Sequence, residues 1–236
     1  MKPARPRIAA HFAITADAKI STRNFTPALF TSSADKARLQ EIRAGADAII
    51  AGRGTVAADT MSLGLSRQDL RDARAARGLS PAPLRVLVSN AGILDPNWKV
   101  FQYAESPLVV FSTVKMPERI RARIAPLCDL HLFSSPSVPL EAALQILFKE
   151  YKIRSAVCEG GGTLLRSLAE ADLVDEIFLT LAPIIFGGAG APTLTGKPDL
   201  FLPEAREFQI VSHRMEGEEC FLHLRKKSPP HASAKS

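Results

Sequence analysis

Three consecutive glycines, Gly160, Gly161 and Gly162, follow a short apolar run, Ala156-Val157-Cys158, that ends at Glu159. Thr163 then opens a segment whose apolar residues fall at Leu164, Leu165, Leu168, Ala171 and Leu173, the spacing of one helical face. The order is strand, glycine-rich turn, helix start. Such a turn lets backbone amides approach a phosphate closely, and the helix N-terminus adds favourable potential for an anion. Nucleotide phosphate binding is the chemistry this pattern can do. A tight strand-to-helix turn without a ligand uses the same residues, because the spacing matches neither GxGxxG nor GxxxxGK[ST].

A second pattern of this kind follows the apolar stretch 46–51. Gly52-Arg53-Gly54-Thr55 leads into a short helix start, with Asp59 four residues beyond Thr55. Arg53 can grip a phosphate with two parallel hydrogen bonds, and Thr55 can cap the helix while bonding an anion. An ordinary helix cap beside a surface arginine is the alternative for this segment alone. Both patterns sit just past the C-terminal ends of strands, the edge at which open α/β sheets bind ligands. Two helix dipoles facing one edge suit the several phosphates of a dinucleotide.

The elements that must position these turns alternate along the chain. Strands are expected at 8–15, 46–51, 84–88, 108–111, 127–132, 156–158 and 176–181. Helices are expected from Ser32 to Ala44, closed by Gly45, over 53–58, over 117–124 behind a proline, and over 140–149. Ser32 and Asp35 have the spacing of a capping pair. The segments 208–213 and 220–224 close the chain as an antiparallel hairpin. This order predicts a three-layer α/β/α domain with a mainly parallel central sheet, one domain over 1–227, and a disordered tail over 228–236. The segment 60–83 reads as a surface helix or a mobile substrate loop, and 187–203 as a long loop.

The 236 residues are 46% hydrophobic and 23% charged, as in ordinary globular proteins, and no apolar run approaches the length of a membrane span. A cytoplasmic location is expected. The cysteines, Cys128, Cys158 and Cys220, read as buried free thiols, and the five histidines form no metal-ligand spacing. The net charge of +6 is partly carried by the C-terminal lysines and arginines, with no basic stripe interleaved with aromatics. An anionic small molecule is the expected partner, with no nucleic acid, no membrane and no metal.

Four motifs together resemble the reductase domain of bacterial riboflavin biosynthesis, the RibD C-terminal domain family, which shares the dihydrofolate reductase fold. They are Ala13-Ile14-Thr15-Ala16-Asp17-Ala18-Lys19-Ile20, Arg43-Ala44-Gly45-Ala46-Asp47-Ala48-Ile49-Ile50, and Gly52-Arg53-Gly54-Thr55-Val56-Ala57-Ala58-Asp59. The fourth is Glu159 to Leu164, with Val174-Asp175-Glu176 and Ala182-Pro183 downstream. The likeness covers roughly residues 6–224. The deaminase-like domain often fused ahead of this reductase, with its zinc-ligand motifs, is not in the sequence.

The resemblance implies an NADPH-dependent reductase of the 5-amino-6-(5-phosphoribosylamino)uracil reductase type, which reduces the ribosyl group of a ribosylamino-pyrimidine phosphate to ribityl. It implies cofactor contacts at Ala13, Arg53, Thr55, Asp59, Ser89, Gly160, Gly161, Gly162, Thr163 and Leu164, with Arg53 at the adenosine 2′-phosphate. It implies substrate contacts at Arg43, Leu63, Arg67 and Glu159, and a reaction centre bordered by Asp17, Lys19 and Glu159. It further implies a homodimer, for which the apolar run 178–186 is a candidate contact. The departures from the family fall on the substrate side. Ala16 and Ala18 replace Leu and Gly, and His11 replaces a lysine common on the first strand. The phosphate-binding arginine is displaced by one position, to Arg67, and Pro27 and Leu29 replace a Ser and a Trp. Reduction of another heterocycle, such as a pterin or dihydrofolate, is the second reading. A non-catalytic nucleotide-binding protein is the third, and it predicts a cleft filled by Leu29, Met61 or Leu65.

Overall fold

The computed structural model describes residues 4–22, 30–59, 61–196 and 201–227, with the side chain of Asp59 excepted. Nine strands form one sheet in the order β5-β4-β3-β2-β6-β1-β7-β9-β8. They are β1 (Arg7–Thr15), β2 (Ala48–Gly52), β3 (Leu84–Ser89), β4 (Leu108–Thr113), β5 (Asp129–Phe133), β6 (Ser155–Cys158), β7 (Glu176–Ala182), β8 (Phe208–Glu216) and β9 (Glu219–Lys226). The first seven run parallel, and β9 and β8 close the sheet antiparallel. The expected three-layer α/β/α architecture with a C-terminal hairpin is what the chain forms.

Side-chain alternation divides the core between two sheet faces. On one face, Ala48 and Ile50 of β2 pack with Leu144 and Leu147 of α6 (Leu140–Lys149) and with Leu165 and Leu168 of α7 (Gly162–Glu170). On the other, Ile49 and Ala51 of β2 join Val56 of α2 (Arg53–Asp59), Val100 and Phe101 of α4 (Lys99–Gln102), and Ile124 of α5 (Glu118–Ile124). β4 is buried along its whole length, which explains why its sequence opens on an unbroken apolar run over 108–111; the Ser112 and Thr113 hydroxyls that end it donate to the Ser89 and Asn90 carbonyls. The short α4 carries no sequence signal of its own. It forms because Val100 and Phe101 fill that second core.

Several expectations take a definite form here. The segment 60–83 contains a surface helix, α3 (Gln68–Ala76), preceded by irregular chain whose Leu63 and Leu65 are fully buried. Helix α1 (Ser33–Gly45) is capped by Ser32, whose side chain accepts from the Asp35 amide at 3.2 Å. The reciprocal half of the capping pair is absent. Glu219 bonds the Ser32 amide instead, at 2.8 Å, which leaves the Asp35 carboxylate free for the interior. All three cysteines are free, Cys158 fully buried and the other two partly so. Strand β7 lies between β1 and β9, so residues 178–182 cannot pair across a two-fold axis. Pro27, Leu29, Thr60 and the tail 228–236 lie outside the described residues.

Candidate active site

The two glycine-hinged helix starts meet. The Gly52 amide donates to the Gly160 carbonyl at 2.8 Å, and the Glu159 amide donates to Ile50 at 3.0 Å, which locks the end of β6 to that of β2. A Cβ at Gly160 or Gly161 would lie 2.8 or 2.9 Å from the Thr55 hydroxyl oxygen, and Gly160 has φ +138°. A Cβ at Gly162 would lie 2.3 Å from the Gly196 amide nitrogen. Only glycine lets α7 begin this close to α2 and to the 193–196 loop. Gly161 sits at the N-cap of α7 and offers no side chain, so this helix start has no side-chain cap. Its first amides keep their hydrogen-bonding capacity for an anion.

Two cavities share this junction as a wall. One, of about 670 Å³, is lined by Arg53, Ser89, Thr163 and Leu164, along with Gly54, Thr55 and Gly161. Arg53 is exposed there, its Nε donating to the Ile93 carbonyl at 2.9 Å. The buried Ser89 hydroxyl accepts from the Gly92 amide at 3.1 Å, so Ser89 braces the turn after β3. The other cavity, of about 660 Å³, runs from Thr55 and Gly160–Thr163 past Ala13 to Glu159, His11, Asp35 and Lys36. Asp59 ends α2, and its side chain is outside the described residues. The paired cavities, the glycine cradle and the uncapped start of α7 fit an elongated, phosphate-bearing cofactor.

Arg43 and Glu159, read from sequence as separate substrate contacts, bind each other. Arg43 Nε donates to Glu159 Oε1 at 2.6 Å and Nη2 to Oε2 at 2.5 Å, while Nη1 donates to the Gly64 carbonyl at 2.7 Å. The two side chains are only 9% and 1% exposed. Glu159 lines the cavity with both oxygens already engaged. Burial alone would lower the pKa of Arg43. The adjacent carboxylate outweighs that and leaves it raised.

Four other expected positions do not reach the cavity. Asp17 accepts from Thr15 Oγ1 at 2.5 Å, from the Phe186 amide at 3.2 Å and from the Gly187 amide at 2.7 Å. The Thr15 bond, followed by those amides, holds its carboxyl below the usual range. Asp17 thus fastens the turn after β1 to the 186–187 loop, whose Phe186 ring meets Phe30 edge-on at 5.2 Å, and Phe30 lines the cavity. Lys19 closes the same turn, its amide donating to Thr15 Oγ1 and its backbone bridging to Thr193. Ala18, where the family has glycine, adopts φ +61°. Arg67 is paired with Asp69 at 2.5 Å and lies 3.6 Å from Glu41 on the surface. Leu63 is a core side chain at 1% exposure, with φ +57°.

The residues that sequence reasoning passed over are His11, Asp35 and Lys36. His11 showed only as the replacement of a lysine common on the family's first strand, with no role assigned to it, and Asp35 only as half of a capping pair. Tertiary structure turns both into the cavity, where Asp35 is 5% and His11 6% exposed. Met61 lines the cavity without filling it, and Leu65 packs elsewhere, against Ala44 and Ala82. Among the described residues no group of histidine, cysteine or carboxylate side chains could hold a metal, and no helix is long and apolar enough to cross a membrane.

Comparison with known proteins places this geometry in context. Residues 6–220 match the family model of the RibD C-terminal domain. The 2,5-diamino-6-ribosylamino-4(3H)-pyrimidinone 5′-phosphate reductase of Archaeoglobus fulgidus is 32% identical over 190 residues, which cover 80% of this chain and 86% of that one. Riboflavin biosynthesis protein RibD of Actinobacillus pleuropneumoniae is 27% identical over 222 residues, which are 92% of this chain and 56% of that one. The crystal structure of a pyrimidine reductase-like protein from Corynebacterium diphtheriae superposes with a TM-score of 0.83, covering 95% of this chain and 93% of that one at 19% identity, a likeness of fold. With the family model spanning nearly all of the described chain, the protein belongs to the RibD C-terminal domain family of reductases.

Proposed function

We propose that this chain is an NADPH-dependent reductase that converts the ribosyl group of a ribosylamino-pyrimidine 5′-phosphate to ribityl. The observation that carries this reading is the wall that two cavities share at Gly54, Thr55, Gly161 and Thr163. It joins a cavity fit for a dinucleotide's phosphates and adenosine to one with a buried polar end. When bound, the nicotinamide supplies the hydride, and a proton completes the reduction. The amides of Gly161, Gly162 and Thr163 would hold the pyrophosphate, with Thr55 beside them. Leu164 and Ser89 would face the adenosine, and the exposed Arg53 its 2′-phosphate. Ala13 would border the nicotinamide.

On the substrate side, the Arg43–Glu159 pair gives the cavity a rigid wall, while Asp17 and Lys19 hold the loops around its mouth. Their role is positional. The substrate phosphate falls to Lys36, exposed at the cavity, because Arg67 is held at the surface by Asp69. The protein works in the cytoplasm as a homodimer. The exposed Ile210 and Met215 on edge strand β8 are better placed for that contact than the internal β7. The deciding experiment is NADPH oxidation against ribosylamino-pyrimidine phosphates and pterins. Turnover of the pyrimidines alone supports this reading, turnover of pterins replaces it, and cofactor binding without turnover favours a binding protein.

A further inference from the structure

Building on the reductase reading, we propose that Asp35 and His11 read the pyrimidine edge and select a 2-amino-4-pyrimidinone over the corresponding uracil. Asp35 Oδ1 accepts from Thr180 Oγ1 at 2.6 Å. Arg38, three residues on along the same helix, donates to Thr180 Oγ1, Leu179 O and Leu222 O, and among the described residues neither it nor the neighbouring Lys36 makes an ion pair with Asp35. The carboxylate is therefore oriented without being neutralised, and no hydrogen bond engages its Oδ2 among the described residues. Beside it, His11 Nε2 lies 3.8 Å from Asp35 Oδ1, buried and without a hydrogen-bond partner among the described residues. A buried polar nitrogen left unsatisfied costs stability, so a ligand that completes it is favoured.

The chemistry of the two bases decides which ligand that is. A 2-amino-4(3H)-pyrimidinone presents, in order, a carbonyl acceptor, the N3–H donor and the amino donor. His11 in its Nε2–H tautomer followed by the two oxygens of Asp35 presents donor, acceptor, acceptor. The uracil replaces the amino group with a second carbonyl, which would face a carboxylate oxygen that cannot donate. A site built to bond a donor rejects the analogue lacking it, because its buried acceptor is left unpaired. A cation at position 11 would compete for Asp35. Burial instead keeps the His11 imidazole uncharged at neutral pH.

The test compares initial rates of NADPH oxidation with the 2-amino-4-pyrimidinone and uracil forms of the ribosylamino 5′-phosphate. Wild-type kcat/KM should favour the amino form at least tenfold. Asp35→Asn keeps an acceptor for Thr180 and N3–H but supplies an amide donor to the 2-carbonyl. It should move the ratio at least tenfold toward the uracil while the NADPH dissociation constant stays within twofold. If Asp35→Asn does not fold, Asp35→Ser should bring the ratio close to one. Equal wild-type rates on the two bases, or a ratio unmoved by the substitution, overturns the assignment. If neither base is reduced, the reductase reading falls separately, and calorimetric affinities of the wild type and Asp35→Asn for the two bases decide the edge-reading role by the same ratio.

Discussion

Replacing Glu159 with glutamine separates a structural ion pair from a free catalytic carboxylate. In the structure both Glu159 oxygens accept from Arg43 at 2.5–2.6 Å, with both side chains withdrawn from water. Two unit charges about 4 Å apart attract by about 4 kcal/mol at an effective dielectric of 20. Glutamine keeps one acceptor but turns an NH2 toward an Arg43 donor, so roughly half the hydrogen bonding and all of the charge attraction are lost. The Arg43 charge remains buried with only the Gly64 carbonyl and one amide oxygen to satisfy it. Removing one partner of a buried pair costs about 3–5 kcal/mol, and the retained acceptor brings the expectation to about 2–4 kcal/mol. For a chain of this size that is a fall in Tm of about 5–15 °C. The assay is urea unfolding at pH 7, in which the midpoint should fall while the slope is unchanged. Arg43→Met, alone and combined with Glu159→Gln, completes a cycle, and the double variant should be less damaged than the two single losses added together. Stability within 0.5 kcal/mol of wild type, with turnover nonetheless lost, would refute the pairing argument and return Glu159 to direct substrate contact.

The remaining expectations follow from single contacts. Arg53→Ala should weaken NADPH relative to NADH by about 1.5–3 kcal/mol, toward the low end because the side chain is exposed; equal affinity of the wild type for both cofactors by titration calorimetry would count against it. Gly161→Val places a Cβ 2.9 Å from Thr55 Oγ1 and fills the amide cradle, so cofactor binding should fail before folding does, as read by calorimetry beside thermal unfolding. Ala18→Gly should stabilise the turn by about 0.5–1 kcal/mol, since φ +61° strains alanine; destabilisation would show that the alanine methyl matters more than the backbone. Burial pushes the His11 imidazole down to about 4 from its ordinary 6.5, against the opposing pull of Glu159 and with a further push from Arg38 and Arg43. The unfolded chain therefore takes up this proton first, and stability should fall as pH drops from about 6.5 toward 4, by roughly 3 kcal/mol at most. His11→Gln should flatten that part of the denaturant midpoint against pH.

Much of this protein is legible without coordinates because its determinants are local. Period-two and period-3.6 apolar patterns mark the strands and the longer helices. Glycines mark the turns where backbone must approach backbone, and Ser32 marks the start of α1. The paired helix starts at Gly52–Thr55 and Gly160–Thr163 were visible for the same reason, and the structure supplies the contact that demands Gly160 and Gly161, the Thr55 hydroxyl. α4 escaped notice because four residues hold no periodic pattern, and its formation depends on a core assembled from distant strands.

The substrate side was misread where side chains far apart in sequence compete for one another. Arg43 and Glu159 are 116 residues apart, and nothing local to either says that they neutralise each other. Asp17 finds two of its partners on a loop about 170 residues away, and Arg67 satisfies its charge at the surface before any ligand arrives. Asp35 was available to the cavity only because Glu219, from the last strand, took over the capping bond at Ser32. The sequence by itself determined the sheet, the main helix starts and the glycine-rich turns, since backbone geometry and side-chain periodicity are short-range properties. Which charged side chains remain free to meet a substrate was decided by the tertiary structure, because a buried charge takes the best partner within reach, and reach is set by the fold.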